Sequence, residues 1–507
     1  MSPQGSLRLP FYLYSIPSQR IRSANKKCRS RYHDDGLEMF VTMKPSSTAQ
    51  TSLPSQEEGL PGSRRVWAVL SVSLAVVLSV LDGTLANVAL PTIAHSLNAS
   101  AQASVWVVNG YQLAIIATLL PMAALGEFIS YRKVFSAGVV VFTLSSLGCA
   151  LADSMPGLIA ARVIQGVGAA AVMCCTSALL RHTYPAKTFG RGLARNAFVV
   201  TASSAAGPSI CAAVLSVAPW EWLFVINFPI GILALICARA LPITPRQPRK
   251  FDLGAIVLNA LGMSLGVIGL NELNESPALA LTLILSAALC LWLLVKRCLG
   301  DESPLLPLDL FKIPRFRWAI AASFCMFAAQ MCAFVALPFY MQHALGRTIV
   351  QTGLLMTAWP VGSSLANLGL SSFVDRVQAG SLCAIGAGLQ IIGLVLIVAL
   401  PHGTTDLWLL CGLFLAGVGF GFFQSPNSRD MLSAPPRSRS GAAGGMQAAA
   451  RVNGQTWGAA LAGLCFSLSA GEGAYVALSA SMGFSLIALM LNLRRRQLFR
   501  PGPQEDQ

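Results

Sequence analysis

The stretch SLAVVLSVLDGTLANVALPTIA, residues 73–94, settles the fold class and raises the functional question at once. It is greasy enough to lie in lipid, yet Asp82 stands near its middle. A bare charge at the centre of a membrane helix costs about 2.5–3.5 kcal/mol on insertion scales, so this acid needs a partner or a use. The rest of the chain is written in the same style. Of 507 residues 54% are hydrophobic and 11% charged, with a mean hydropathy of +0.62, too little polar surface to coat a soluble globule. Apolar blocks of about twenty residues recur after residue 65, each matching the roughly 30 Å of hydrocarbon that a helix must cross. The ten-residue alternation that a membrane barrel needs is absent, so the chain reads as an all-α polytopic membrane protein.

Fourteen spans are predicted. Six run over 66–90, 104–126, 134–152, 157–181, 192–216 and 221–241. Two follow at 253–272 and 277–297, and six more at 318–341, 349–373, 381–400, 406–428, 442–468 and 473–493. This divides the chain into a six-helix half (66–241), two additional helices (253–297), a cytoplasmic linker (298–317) and a second six-helix half (318–493), with tails at 1–64 and 494–507. The first tail, rich in Ser, Pro, Gln and Arg, reads as disordered and lacks the marks of a signal peptide; a start at Met43 or Met39 would leave an ordinary short leader.

The net charge of +15 does not mark a nucleic-acid surface, because the basic residues fall in alternate loops. Arg132 and Lys133, Arg181 and Arg191, Arg315 and Arg317, and Arg494 to Arg496 all fall on one side, and Arg347 is the one basic residue assigned to the other. The positive-inside rule then places both termini in the cytoplasm, and the cell (inner) membrane is the expected location. Thirteen cysteines show no metal-ligand spacing, and they read as small apolar packing residues with neither a disulfide framework nor a metal.

Depth and sign pair Asp82 with Arg162. The acid lies about 24 Å along the first span, and the arginine about 8 Å down the fourth, which enters from the opposite side. The pair reads either as a fixed salt bridge or as a proton carrier: burial opposes the carboxylate's charge and the arginine favours it, so a modest change nearby loads or unloads the proton. Arg451 lies about 13 Å into the thirteenth span, close to Asn453 and Gln455, with no acid at its depth. Asn109, Tyr111, Gln112, Gln330 and Gln424 are further candidates for a central cavity, although a residue of this kind taken singly is more often a helix–helix hydrogen bond than a ligand contact. No glycine cluster leads into Gly-Lys-Ser/Thr, and no catalytic triad or metal cluster is found, so neither ATP chemistry nor an enzyme is indicated.

The segments LDGTLANVALPTIA, WVVNGYQLAIIATLLP, ARVIQGVGAA, WLFVINFPIG, PLLPLDLF, SPNSRDML and SGAAGGMQAAARVNGQTWGAAL resemble those of fourteen-span drug:proton antiporters of the EmrB/QacA type, in the major facilitator superfamily. The resemblance covers essentially everything from residue 66 onward. It implies a major facilitator fold of two six-helix halves with two extra central helices. It also implies export of amphipathic or cationic small molecules by alternating access, driven by the proton gradient with no cofactor, with Asp82 and Arg162 coupling the proton. The partners expected are the lipid bilayer, protons and a small-molecule substrate, with no nucleic acid; a periplasmic adaptor and an outer-membrane channel stay open. SSAAGPSICAA matches the antiporter signature of the fifth span through Gly207 and Pro208, although Ser203, Cys211 and Ala212 stand where glycines are usual. The loop GEFISYRKVF keeps Gly126, Arg132 and Lys133 of a cytoplasmic latch but has Ser130 in place of the acid, with Glu127 nearby; SSFVDRVQAG retains Asp375 and Arg376. The alternatives are a proton-coupled importer on the same fold, or a receptor or scaffold that does not transport.

Overall fold

A computed structural model describes residues 59–185, 188–244, 252–299, 307–370, 377–399, 405–436, 440–469 and 472–498. Most of the first tail, the end of the second, and Asp375 and Arg376 of the expected latch therefore lie outside the described residues. Those described form helices throughout, with no strand among them.

The first half contains α1 (Gly62–Ser96), α2 (Ala101–Phe128), α3 (Tyr131–Ala150), α4 (Met155–Thr183), α5 (Phe189–Val217), α6 (Trp222–Val225) and α7 (Asn227–Ala238). The two additional helices are α8 (Leu253–Asn271) and α9 (Pro277–Leu299). The second half contains α10 (Pro314–Phe339), α11 (Ile349–Met356), α12 (Ala358–Leu370), α13 (Ala379–Val398), α14 (Asp406–Ser433), α15 (Ser440–Leu468) and α16 (Gly473–Leu498). A helix occupies each of the fourteen predicted stretches, and eleven are long and apolar enough to cross a membrane.

Local sequence sets the ends and breaks. Ser100, Ser154, Asp252 and Thr348 cap α2, α4, α8 and α11 by accepting a hydrogen bond from a first-turn N–H. The sixth and tenth spans, expected as single helices, are each divided, at Ile226 and at Thr357. Pro229 and Pro360 lie three residues beyond these breaks; neither has an N–H to offer the carbonyl one turn back, so the ladder is already weakened there. Several spans also run past their expected ends, two of them with consequences for the core. α14 continues to Ser433 and α16 to Leu498, which carries Asp430 and Arg495 into the bundle at 3% and 2% exposure.

Helices run alternately between two faces of the molecule, and the first and last helices both have their outer ends on one of them, here the terminal face. On it, the Arg132 guanidinium donates to the Arg239 carbonyl and Gln378 donates to that of Arg496. On the opposite face, Trp220 donates to Ser96 and Arg347 pairs with Asp406. Apolar packing differs between the two faces. Toward the opposite face, one cluster joins both halves, from Leu90 and Val105 to Phe334, Trp359 and Cys465. Toward the terminal face, packing stays within a half: Val134, Leu179 and Leu241 in the first, Phe316, Ala319 and Met431 in the second. Among the described residues, the halves are thus sealed together at one end and packed separately at the other. The helix α8 lies along this seam against α2 and α15, while α9 packs mainly on α8.

Candidate functional site

Asp82 and Arg162 meet. The Arg162 Nη1 forms a short ion pair with the Asp82 Oδ2, and both side chains are 1% exposed. They meet because α1 and α4 run in opposite directions and bring residues of similar depth side by side. One turn along α4 from Arg162, on the same face, Gln165 donates from Nε2 to the Asp82 Oδ1 at 3.0 Å and to the Ser146 Oγ at 2.8 Å. Asn227, the first residue of α7, donates to the same Asp82 oxygen at 2.8 Å. The acid therefore accepts from one guanidinium and two amides.

Arg162 is satisfied from three sides. Besides Asp82, its Nη1 donates to the Gln165 Oε1 at 2.5 Å and its Nε to the Val107 carbonyl at 3.1 Å. The guanidinium stacks 4.2 Å from the Tyr111 ring centre and 5.7 Å from that of Phe224. Five elements of the first half thus close over one charge pair, and both carboxylate oxygens as well as the Arg162 Nε and Nη1 have partners in place. If Asp82 became neutral, the Gln165 and Val107 oxygens would still hold Arg162.

The signature residues of α5, Gly207 and Pro208, form a seam that lies against this site. Gly207 of α5 packs on Thr84, two residues beyond Asp82, so closely that a Cβ there would come within 2.7 Å of the Thr84 Cβ. On the next residue, the Pro208 carbonyl faces Gly353 of α11, where a Cβ would sit 2.6 Å from that oxygen. Ser209 and Thr357 share a hydroxyl hydrogen bond of 2.7 Å at the break between α11 and α12. A chain of close contacts therefore leads from the acid across α5 into the second half.

The candidate cavity residues separate into groups. Tyr111 belongs to the Asp82 site, and its hydroxyl donates to the Ser79 carbonyl at 3.4 Å. Asn109 and Gln112 share a face of α2 with Val105, which packs beside Gly463 of α15; Asn109 is fully buried and neither of its amide atoms has a partner. Gln330 shares a face of α10 with Phe327 and Phe334, whose rings meet Phe420 and Trp359. Gln424 shares that of Phe420 and Asn427, toward α10.

On α15, Gly454 and Gly458 touch α10, Gly463 lies beside α2, and Trp457 packs on Gly266 of α8. Arg451 and Gln455 occupy the sector between α10 and α2 that turns away from α8, toward the space between the halves. Asn453 stands about 200° round the helix from Arg451, on the flank toward α8, and its amide donates to the Ala449 carbonyl. The Arg451 Nε is buried with no hydrogen-bond partner, and among the described residues no carboxylate comes within ion-pair reach of it.

Of the expected latch, Gly126 lies under the Tyr131 ring, Glu127 accepts from the Tyr131 hydroxyl at 3.5 Å, and Lys133 is exposed. Ser130, where the family's acid is usual, shares a hydrogen bond of 3.0 Å with Thr244, so this loop is fastened to the end of its own half.

Sequence reasoning passed over Gln165, Asn227 and Ser146, although Gln165 stood three residues from Arg162 on one helical face. It also passed over a second buried ion cluster. Asp430 pairs there with both Arg495 and Arg315, and Arg495 donates to Asn427 at 2.8 Å and to Asn492 at 3.3 Å.

Residues 72–462 match the Major Facilitator Superfamily. An uncharacterized transporter of Escherichia coli (strain K12), YebQ, is 44% identical over 441 residues, spanning 85% of this chain and 96% of that protein. The riboflavin transporter RibZ of Clostridioides difficile (strain 630) is 28% identical, over 76% of this chain and 85% of its own. The tetracenomycin C resistance and export protein of Streptomyces glaucescens is 29% identical, over 85% and 80%. With its paired helical halves and polar residues buried between apolar helices, the chain belongs to the Major Facilitator Superfamily and is a multi-pass membrane transporter, not an enzyme.

Proposed function

We propose that this transporter is a drug:proton antiporter of the fourteen-span type, exporting amphipathic small molecules from the cytoplasm across the inner membrane. The observation that carries the reading is the sealed Asp82–Arg162 pair, two residues from a glycine contact that leads into the other half. With the basic loops and both termini in the cytoplasm, the arrangement sealed at the opposite face is the one that receives cargo from inside. Rocking of the halves about the central space then exposes that space outward.

In this scheme Asp82 takes a proton from the outside when the seam opens. Protonation removes the charge that Arg162 pairs with, and the guanidinium stays on Gln165 and Val107. As the halves return, Arg162 re-forms its pair with the carboxylate and the proton leaves to the cytoplasm. Thr84 and Gly207 link the two events, because the turn of α1 that holds the acid is the turn that α5 grips.

The test is a drug-susceptibility panel in an efflux-deficient host, followed by everted vesicles loaded with acid. A compound to which the protein gives resistance accumulates in those vesicles, and Asp82→Asn abolishes both effects. Resistance unchanged by the substitution removes Asp82 from the mechanism. Accumulation only under the opposite gradient reverses the direction to import.

A further inference from the structure

We infer that cargo binds Arg451 through a negatively charged group, so that the substrates are amphipathic anions or zwitterions rather than lipophilic cations. The inference rests on the transport reading above and narrows its substrate class.

The charges that face the space between the halves carry the argument. Arg451 turns into that space from α15, half-buried, its Nε without a partner. Gln455, the polar side chain that shares this sector with Arg451, is a neutral amide. Neither buried carboxylate is free to answer Arg451 or to receive a cation. Asp82 is enclosed in the first half by Arg162, Gln165 and Asn227, and Asp430 is held by two arginines near the terminal face. The described part of the central space is therefore net positive.

A lipophilic cation entering it would meet a like charge and no available acid. An anion would neutralise a guanidinium whose Nε is buried without a partner, and that guanidinium can grip a carboxylate or sulfonate with two parallel N–H donors. Gln455, one turn further along the same face, adds an amide donor.

Two dyes built on one xanthene ring system test this: fluorescein, anionic at neutral pH, and rhodamine 6G, a cation. Each is titrated onto the full-length purified protein in lipid nanodiscs, with binding read by fluorescence anisotropy. Fluorescein should bind the native protein more tightly than rhodamine 6G. Arg451→Gln should weaken fluorescein by about tenfold or more and leave rhodamine 6G unchanged or tighter, with Arg451→Lys in between. Tighter binding of rhodamine 6G by the native protein, no binding of fluorescein, or equal losses for both dyes in Arg451→Gln each overturns the inference. The native preference needs no variant, so a poorly folding substitution does not spoil the test. Equilibrium titration needs no gradient, so a protein that binds fluorescein but never transports sinks the antiport reading and spares this one.

Discussion

Among the described residues each half of the molecule buries one carboxylate, and the two are held differently. Asp82 of α1 faces one guanidinium and two neutral amides, and the charges sum to zero. Asp430 of α14 faces two guanidiniums, that of Arg495 2% exposed and that of Arg315 51% exposed, and the sum is positive. Both are acid–arginine contacts in a helical bundle, but their surroundings assign them different work. The first acid lies beside Thr84 and the glycine seam, with spare acceptors that keep Arg162 in place when its pair is broken. The second ties the ends of α10, α14 and α16 together within one half. One cation and neutral donors allow a change of charge, whereas two cations fasten it.

The largest effect that could break this contrast comes from neutralising each acid in turn. Asp82→Asn should abolish gradient-driven transport per folded molecule, while downhill flux survives. Asp430→Asn should instead cost about 3–5 kcal/mol of stability, because Arg495 is left buried without its carboxylate. Transport per folded molecule should stay near native in that variant. Thermal unfolding in detergent, read beside proteoliposome uptake, separates the two effects. If Asp430→Asn uncouples transport as Asp82→Asn does, the two sites are not different in kind.

The sequence carried the first acid more legibly than the second, for a physical reason. Asp82 and Arg162 lie well inside long apolar runs, where depth and sign alone suggest the pair. Asp430 and Arg495 lie past the points where hydropathy ends their spans, so they read as loop and tail residues. Only when helices α14 and α16 continue, supported by the ion cluster itself, do these residues become core. Rotational phase was the other blind spot. Depth brings Asn453 level with Arg451, but the helix turns it toward α8. Neutral donors such as Asn227 and Ser146 announce nothing until a neighbouring charge gives them a role. Fourteen helical stretches were readable from length and apolarity, whereas the breaks at Ile226 and Thr357 depend on how strongly neighbours hold each turn.

A smaller effect sharpens the mechanical side of the comparison. Gly207→Ala forces a methyl against Thr84, and overpacking of that kind costs about 1–3 kcal/mol. If the Thr84 contact serves the coupling cycle, turnover should fall by more than the stability loss explains, and Thr84→Ala should restore part of it by clearing the threonine's outer atoms. No equivalent should appear on substituting around Asp430. Stability loss with native turnover would reduce the seam to static packing.

The smallest effect calibrates both sites, and it comes from an acid–arginine pair outside the bundle core. Asp252 caps α8 and pairs with Arg297 at 2.8 Å, with the two side chains 22% and 54% exposed. The Arg297 hydrogen bond is the main reason that the Asp252 carboxyl is held below the ordinary carboxylate range, against a smaller opposing effect of burial. A depressed folded value means that the pair's contribution is present above the unfolded value of about 3.9 and is lost as pH falls through the lower folded one. Between pH 5 and 8 it should therefore be constant. Asp252→Asn keeps the cap, since asparagine caps as well as aspartate, and removes only the ion pair. The cost should be below about 1 kcal/mol and should fade in high salt, because water and ions screen an exposed pair. A cost as large as that of Asp430→Asn would mean that burial does not set the strength of these contacts, and the contrast between the halves would lose its physical basis.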